Sequence, residues 1–160
     1  MESLTAIDRT LLDAIQRDGR LTSTELGELV NMSHSPVWRR LKKFEEDGVI
    51  AGYAAHLNRH KLGLKTLAFV SIVLDRHDED TAVRFTDEVR LIPEVVMCHG
   101  VSGPEDCVMI VIARDLEHYA NILTQRIRKL PGIAGLRTSF SLMQIKDDAS
   151  FILDLTQGSP

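Results

Sequence analysis

The hydrophobic rhythm of this chain changes once, near residue 48, and that change limits what the chain can fold into. Upstream, apolar residues recur at helical spacing: Ile7, Leu11, Leu12 and Ile15, then Leu26 and Val30, then Val37, Leu41 and Phe44. Asp8 is a cap or first-turn acid for the first helix, which Asp18-Gly19-Arg20 stops. Thr22 or Ser23 caps the second, with Glu25 close behind. Asn31-Met32-Ser33 leaves room only for a turn, and Asn tolerates the left-handed backbone of a sharp corner. Ser33 or Ser35 caps the third helix, Pro36 falls in its first turn, and Gly48 closes it. Downstream, strands alternate with two helices. Residues 49–57 read as a short strand and connector, and residues 66–75, 94–101, 107–113 and 136–145 as strands. Helices follow Asp78 or Asp80 and Asp115, with Ala82, Phe85, Val89 and Ile92 inward on one and Leu116, Tyr119, Leu123, Ile127 and Leu130 on the other. Pro93 and Pro131-Gly132 end them.

The order β-α-β-β-α-β is that of a ferredoxin-like unit. The chain is therefore expected to be α+β. Residues 1–50 are expected to form a helix-turn-helix (winged-helix-like) domain, 51–63 a strand or linker, and 64–160 a ferredoxin-like domain, to which the family resemblance given below adds ligand binding. Two helices cover one face of such a sheet, yet its central strands are apolar on both faces: Leu67, Phe69 and Val73 against Ala68, Val70 and Ile72, and Val108, Ile110 and Ile112 against Met109 and Val111. A face left to water would alternate with polar residues, so the uncovered face is expected to pack on another subunit's sheet.

Charge narrows the function. The chain carries a net −4, which argues against a uniformly basic coat for nucleic acid. Residues 1–50 hold seven Lys/Arg and nine Asp/Glu, but four of the seven cations fall within residues 39–43, and no acid lies between Glu28 and Glu45. This is one basic helix on a mildly acidic domain, suited to a phosphate backbone. The spacing around it is that of a compact helix-turn-helix: counting from Ser23, Gly27 stands at the helix crossing, Asn31 at the corner and Val37 in the core. The last apolar place arrives one residue late, at Leu41 rather than Arg40. The third helix displays Ser33, His34, Ser35, Trp38 and Arg39 toward a major groove, while Arg40, Lys42, Lys43, Thr22 and Ser23 are placed for phosphates.

Other classes fall away. No uncharged run approaches the roughly 20 apolar residues of a membrane span, and the first residues lack a secretory pattern, so a cytoplasmic protein is expected. Two cysteines make no disulfide scaffold. Taking Cys107 opposite Val101 and Cys98 opposite Ile110 places the two thiols apart, as buried, unpaired groups. His77-Asp78-Glu79-Asp80 reads as helix capping rather than a metal cluster, and no motif calls for a cofactor or metal. An enzyme on a ferredoxin-like dimer is the alternative; it lacks a nucleophile–base pair and leaves the first 50 residues without a role.

In order along nearly the whole chain stand Ile7-Asp8-Arg9 with Leu11-Leu12, Gly19-Arg20-Leu21, Ser33-His34-Ser35-Pro36-Val37-Trp38-Arg39-Arg40-Leu41, Glu46-Asp47-Gly48-Val49-Ile50 and Gly52-Tyr53. Leu62-Gly63-Leu64, Pro93-Glu94-Val95, Gly103-Pro104-Glu105-Asp106, Leu130-Pro131-Gly132-Ile133, Thr138-Ser139 and Ile145-Lys146 continue the series. In these the sequence resembles the Lrp/AsnC family, the leucine-responsive and asparagine-responsive transcription regulators. The resemblance implies a DNA-binding domain and homodimers that assemble to tetramers or octamers, and docking of such a dimer predicts a pseudo-palindromic operator. It also implies a small amino-acid effector bound between dimers at the turn Gly103, Pro104, Glu105, Asp106. Thr138 and Ser139 match a polar place that completes that pocket from another subunit. The family commonly has an aromatic after the Asp where this chain has Cys107, and residues 139–146 resemble a branch responding to cysteine.

Overall fold

The computed structural model describes residues 4–75 and 78–146. His77 and residues 147–160 lie outside the described residues. The chain divides into two compact units, residues up to His56 and Leu57–Ile145.

The first unit holds α1 (Ala6–Arg17), α2 (Ser23–Val30) and α3 (His34–Glu46). Two capping boxes start it. Thr5 and Asp8 bond reciprocally at α1, and Thr22 and Glu25 at α2, each satisfying two amide groups that a helix N-terminus leaves open. Leu11, Leu12, Ile15, Leu26, Val37, Leu41 and Phe44 form its core, with Val30, Met32, Val49 and Ile50 packed against it. Asn31 takes the left-handed conformation (φ 53°) at the corner between α2 and α3, the one described non-glycine residue with positive φ. At Gly27 a Cβ would sit 2.4 Å from the Met32 carbonyl oxygen, so the crossing of the two helices excludes any side chain there. The expected strand within 49–57 does not form. The Ile50 amide closes onto the Phe44 carbonyl, and the residues beyond it have no ladder partner.

The second unit is a four-stranded antiparallel sheet of order β2-β3-β1-β4, with β1 (Thr66–Leu74), β2 (Val95–Gly100), β3 (Cys107–Ala113) and β4 (Ile133–Phe140). Helices α4 (Glu79–Arg90) and α5 (Leu116–Gln125), the latter followed by a 3-10 turn at Ile127–Lys129, cover one face. Ala68, Val70, Ile72, Met109, Val111 and Ala113 point to the helices and are buried. As expected, β1 and β3 are central.

Four details differ from the sequence reading. On α4 the inward residue of the first turn is Thr81, four residues before Phe85, and Ala82 is exposed. Leu116 at the start of α5 points outward, and Ile122 is buried in its place. Strand β4 begins three residues earlier than expected and ends at Phe140. Ser141 makes a last bond to Leu67 near the start of β1, and Leu142, Met143 and Ile145 are exposed past the end of the ladder. In the β2–β3 hairpin, Gly100 rather than Val101 faces Cys107, and Cys98 faces Met109. Cys98 and Cys107 are therefore diagonal neighbours on the same, helix-facing side.

Candidate nucleic-acid interface and effector turn

Helix α3 is held by a narrow apolar stripe, and its remaining circumference is polar apart from Trp38 and the half-buried Pro36. Val37, Leu41 and Phe44 are buried, while His34, Ser35, Trp38, Arg39, Lys42 and Lys43 are exposed. At about 100° per residue, Trp38, Lys42, Ser35 and Arg39 occupy one contiguous arc of roughly 100°. The Lys42 ammonium lies 5.4 Å from the centre of the Trp38 ring, and Glu46 pairs with it at 3.7 Å. Ser33 occupies the N-cap position, but its hydroxyl makes no capping bond. The residue three further on is Pro36, which has no N–H to give it.

Thr22 and Ser23 lie at the start of α2, beside α3. With Trp38, Lys42, Glu45 and Tyr53 they line an open groove of about 430 Å³. The Thr22 hydroxyl and amide hold the Glu25 carboxyl below its ordinary value. Tyr53, which in the sequence stands only among the residues of the family resemblance, lies against Gly19 and donates its hydroxyl to Glu45 at 2.9 Å. Burial and the Glu45 carboxylate push its phenol up to about 12. The Gly52-Tyr53 pair after the third helix was the available signal.

Arg40 differs from its neighbours. Its guanidinium donates to the buried Asp8 carboxylate at 2.5 Å, and the other oxygen of that carboxylate accepts from the Thr5 amide and hydroxyl. Burial by itself would raise the Asp8 carboxyl. The Thr5 bonds and Arg40 outweigh it and hold the group below its usual range.

In the second unit, the Gly103–Asp106 turn lies against the end of β1. The Asp106 amide donates to the Ile72 carbonyl, its carboxylate accepts from the Leu74 amide at 2.7 Å, and its own carbonyl closes the hairpin to Val101. Glu105 is paired with Arg137 of β4. Gly103 (φ 141°) and Pro104 are exposed, and nothing lies within 4 Å of where a Gly103 Cβ would stand. Thr138 and Ser139 face opposite sides of the sheet. Thr138 shares a hydrogen bond with the Tyr119 hydroxyl on the helix side, and Ser139 lies opposite Phe69 on the uncovered face. Of the six residues expected at the effector site, four form one turn and two stand on opposite faces of β4. Beside the turn, burial and the neighbouring Cys107 push the Cys98 thiol up to about 11, and burial with Asp106 raises Cys107.

Comparison with known proteins follows this division. Residues 4–51 match the winged helix-turn-helix DNA-binding family, and residues 67–151 match the Lrp/AsnC ligand binding domain. The leucine-responsive regulatory protein of Escherichia coli K12 is 33% identical over 152 residues, covering 95% of this chain and 93% of that protein. The chain belongs to the Lrp/AsnC family. Its fold is similar to that of a Neisseria meningitidis transcriptional regulator solved with L-methionine (TM-score 0.91, 31% identity, 96% of this chain and 99% of the other). It is also similar to an AsnC family regulator from Agrobacterium tumefaciens (TM-score 0.89, 34% identity, 94% and 98%). This Lrp/AsnC protein is thus a DNA-binding transcriptional regulator with an amino-acid ligand-binding domain, and the enzyme alternative is set aside. No helix among the described residues is long and apolar enough to cross a membrane.

Proposed function

We propose that this regulator reads a pseudo-palindromic operator with paired α3 helices and that a small L-amino acid at the Gly103–Asp106 turn tunes its assembly on DNA. The observation that carries the DNA part is the exposed arc of Ser35, Trp38, Arg39 and Lys42, aimed outward by the Gly27–Asn31 corner. Arg39 and Ser35 carry the groups that donate to base edges, His34 and Ser33 lie at the helix end that enters the groove first, and Lys42 and Lys43 meet phosphates. Thr22 and Ser23 add phosphate contacts from α2.

The working unit is a homodimer, extending to tetramers or octamers. Phe69 and Val73 are 42% and 38% exposed on the uncovered sheet face, and a second sheet laid there removes them from water. The effector would present its ammonium to Asp106 and its carboxylate to backbone N–H groups of the turn, with Ser139 approaching from another subunit. Methionine is the first ligand to test, because the Neisseria relative was solved with it; cysteine, suggested by residues 139–146, is the second.

The test is an L-amino-acid panel read by thermal unfolding. A ligand at a hundredfold excess over its Kd stabilises by about 2.7 kcal/mol, well within detection. Methionine or cysteine should raise the transition of the wild type and leave Asp106→Asn unmoved, with ligand-free DNA binding retained. An undiminished response in Asp106→Asn removes the turn from the account.

A further inference from the structure

The helix-turn-helix spacing reserves an apolar place at residue 40, and this chain puts an arginine there. The structure resolves the mismatch. Arg40 spends its charge on Asp8, whose side chain is only 10% exposed and whose second oxygen is occupied by the N-cap of α1. One carboxylate thus ties the start of α1 to the flank of α3.

Geometry gives this tie a consequence for DNA reading. Val37, Leu41 and Phe44 span only about 60° of the helical wheel, whereas a helix seated on a core usually offers a stripe of about 100° or more. Apolar contacts are non-directional, so a stripe this narrow, even with the Gly27–Asn31 corner setting the direction of α3, constrains its roll less than a wide one would. Arg40 extends the anchored arc to about 100°, and it does so on the side about 160° from Trp38. Pinning that side sets which residues face outward.

We propose that Asp8 and Arg40 are positioning residues that fix the roll of the recognition helix, and that Arg40 acts through this pair rather than as a phosphate ligand. The pair then governs discrimination between sequences more than attraction to DNA. A phosphate ligand does the reverse, since each neutralised phosphate contributes about 0.9 to the slope of log affinity against log salt.

The experiment uses the full chain and two duplexes, one enriched by the wild type from a randomised library and one scrambled from it. Asp8→Asn should weaken the enriched duplex roughly tenfold and the scrambled one less than about twofold, the size of an impaired base contact, with the salt slope unchanged. Iodide quenching of Trp38, the single tryptophan of the chain, should change in the DNA-free Asp8→Asn variant. Arg40→Met, which supplies the apolar residue the motif reserves, should keep the wild-type slope, and Arg40→Lys should restore part of the discrimination. These two carry the test if Asp8→Asn fails to fold. A slope lowered by about 0.9 in Arg40→Met, or tighter binding of both duplexes when Asp8→Asn releases Arg40, overturns the proposal.

Discussion

Gly27→Ala tests the corner on which the DNA-binding unit is built. A methyl group at this position meets the Met32 carbonyl oxygen at 2.4 Å, and the Met32 amide already donates to the Gly27 carbonyl at 2.9 Å. The clash is with backbone on both sides, so no rotamer change relieves it. Overpacking of this kind costs about 1–3 kcal/mol, and a rigid obstacle belongs at the upper end. Alanine returns about 1 kcal/mol through its better helix propensity. The net expectation is a loss of about 2 kcal/mol, which for a unit this small lowers the melting temperature by roughly 8–16 °C. Trp38 fluorescence reports this unit, and the same variant should lose operator affinity because α3 is displaced. A Gly27→Ala protein that melts at the wild-type temperature and binds DNA normally would show that the helices do not cross as described.

Three further outcomes follow from the same geometry. Arg39→Ala should cost about 1–3 kcal/mol on an enriched duplex and little on a scrambled one, whereas Lys43→Ala should weaken both alike and flatten the salt slope by about 0.9, measured by fluorescence anisotropy. With its thiol pushed up to about 11, Cys98 should resist iodoacetamide at pH 8 in the native protein and react only after denaturation, as followed by mass spectrometry; rapid native alkylation would contradict the burial. Asp8 has a folded value below its unfolded one, so its contribution is complete above the unfolded value near 3.8 and fades as pH falls through the folded value. The stability gap between wild type and Asp8→Asn should therefore be constant from pH 5 to 7 and close below about pH 3.8, as read by urea unfolding at each pH.

The helix-turn-helix was legible because its determinants are local. A glycine at the crossing, an asparagine at the corner and capping pairs three residues apart each act within one turn of chain, and Gly27, Asn31, Thr22 and Glu25 do so in the structure. The β-α-β-β-α-β order was legible for a similar reason, since period and stop signals are local too. What escaped depends on partners distant in sequence. Thr81 faces inward because Gly132, which a local reading cannot see, leaves room above it: a Cβ on Gly132 would meet the Thr81 methyl at 2.6 Å. The hairpin centre lies between Gly103 and Pro104 rather than on Pro104, and that half-residue moves Cys98 and Cys107 from opposite faces to the same one. Arg40, which its basic neighbours place among the phosphate contacts, also pairs with Asp8, and that partner lies 32 residues earlier. The signal was present as a charged residue in a place the motif keeps apolar.

The resemblance points to the Gly103–Asp106 turn as a ligand site, and the work this turn does in the fold is visible only in three dimensions. Asp106 holds Leu74 where the β1–β4 register shifts, and Glu105 holds Arg137, so the turn is braced to both strands. A rigid turn of this kind offers its backbone groups at fixed positions, which is what recognition of an amino acid's two charged ends requires.

Trp38, the lone tryptophan of the chain, lies on the arc of α3 proposed to meet DNA and measures that contact directly. Titrating the full chain with an enriched duplex while following Trp38 emission and iodide quenching should give a saturable change, with Trp38 shielded in the complex at the same midpoint as binding seen by anisotropy. Binding that saturates by anisotropy while Trp38 stays as open to iodide as in the free protein would place the DNA elsewhere and contradict the account.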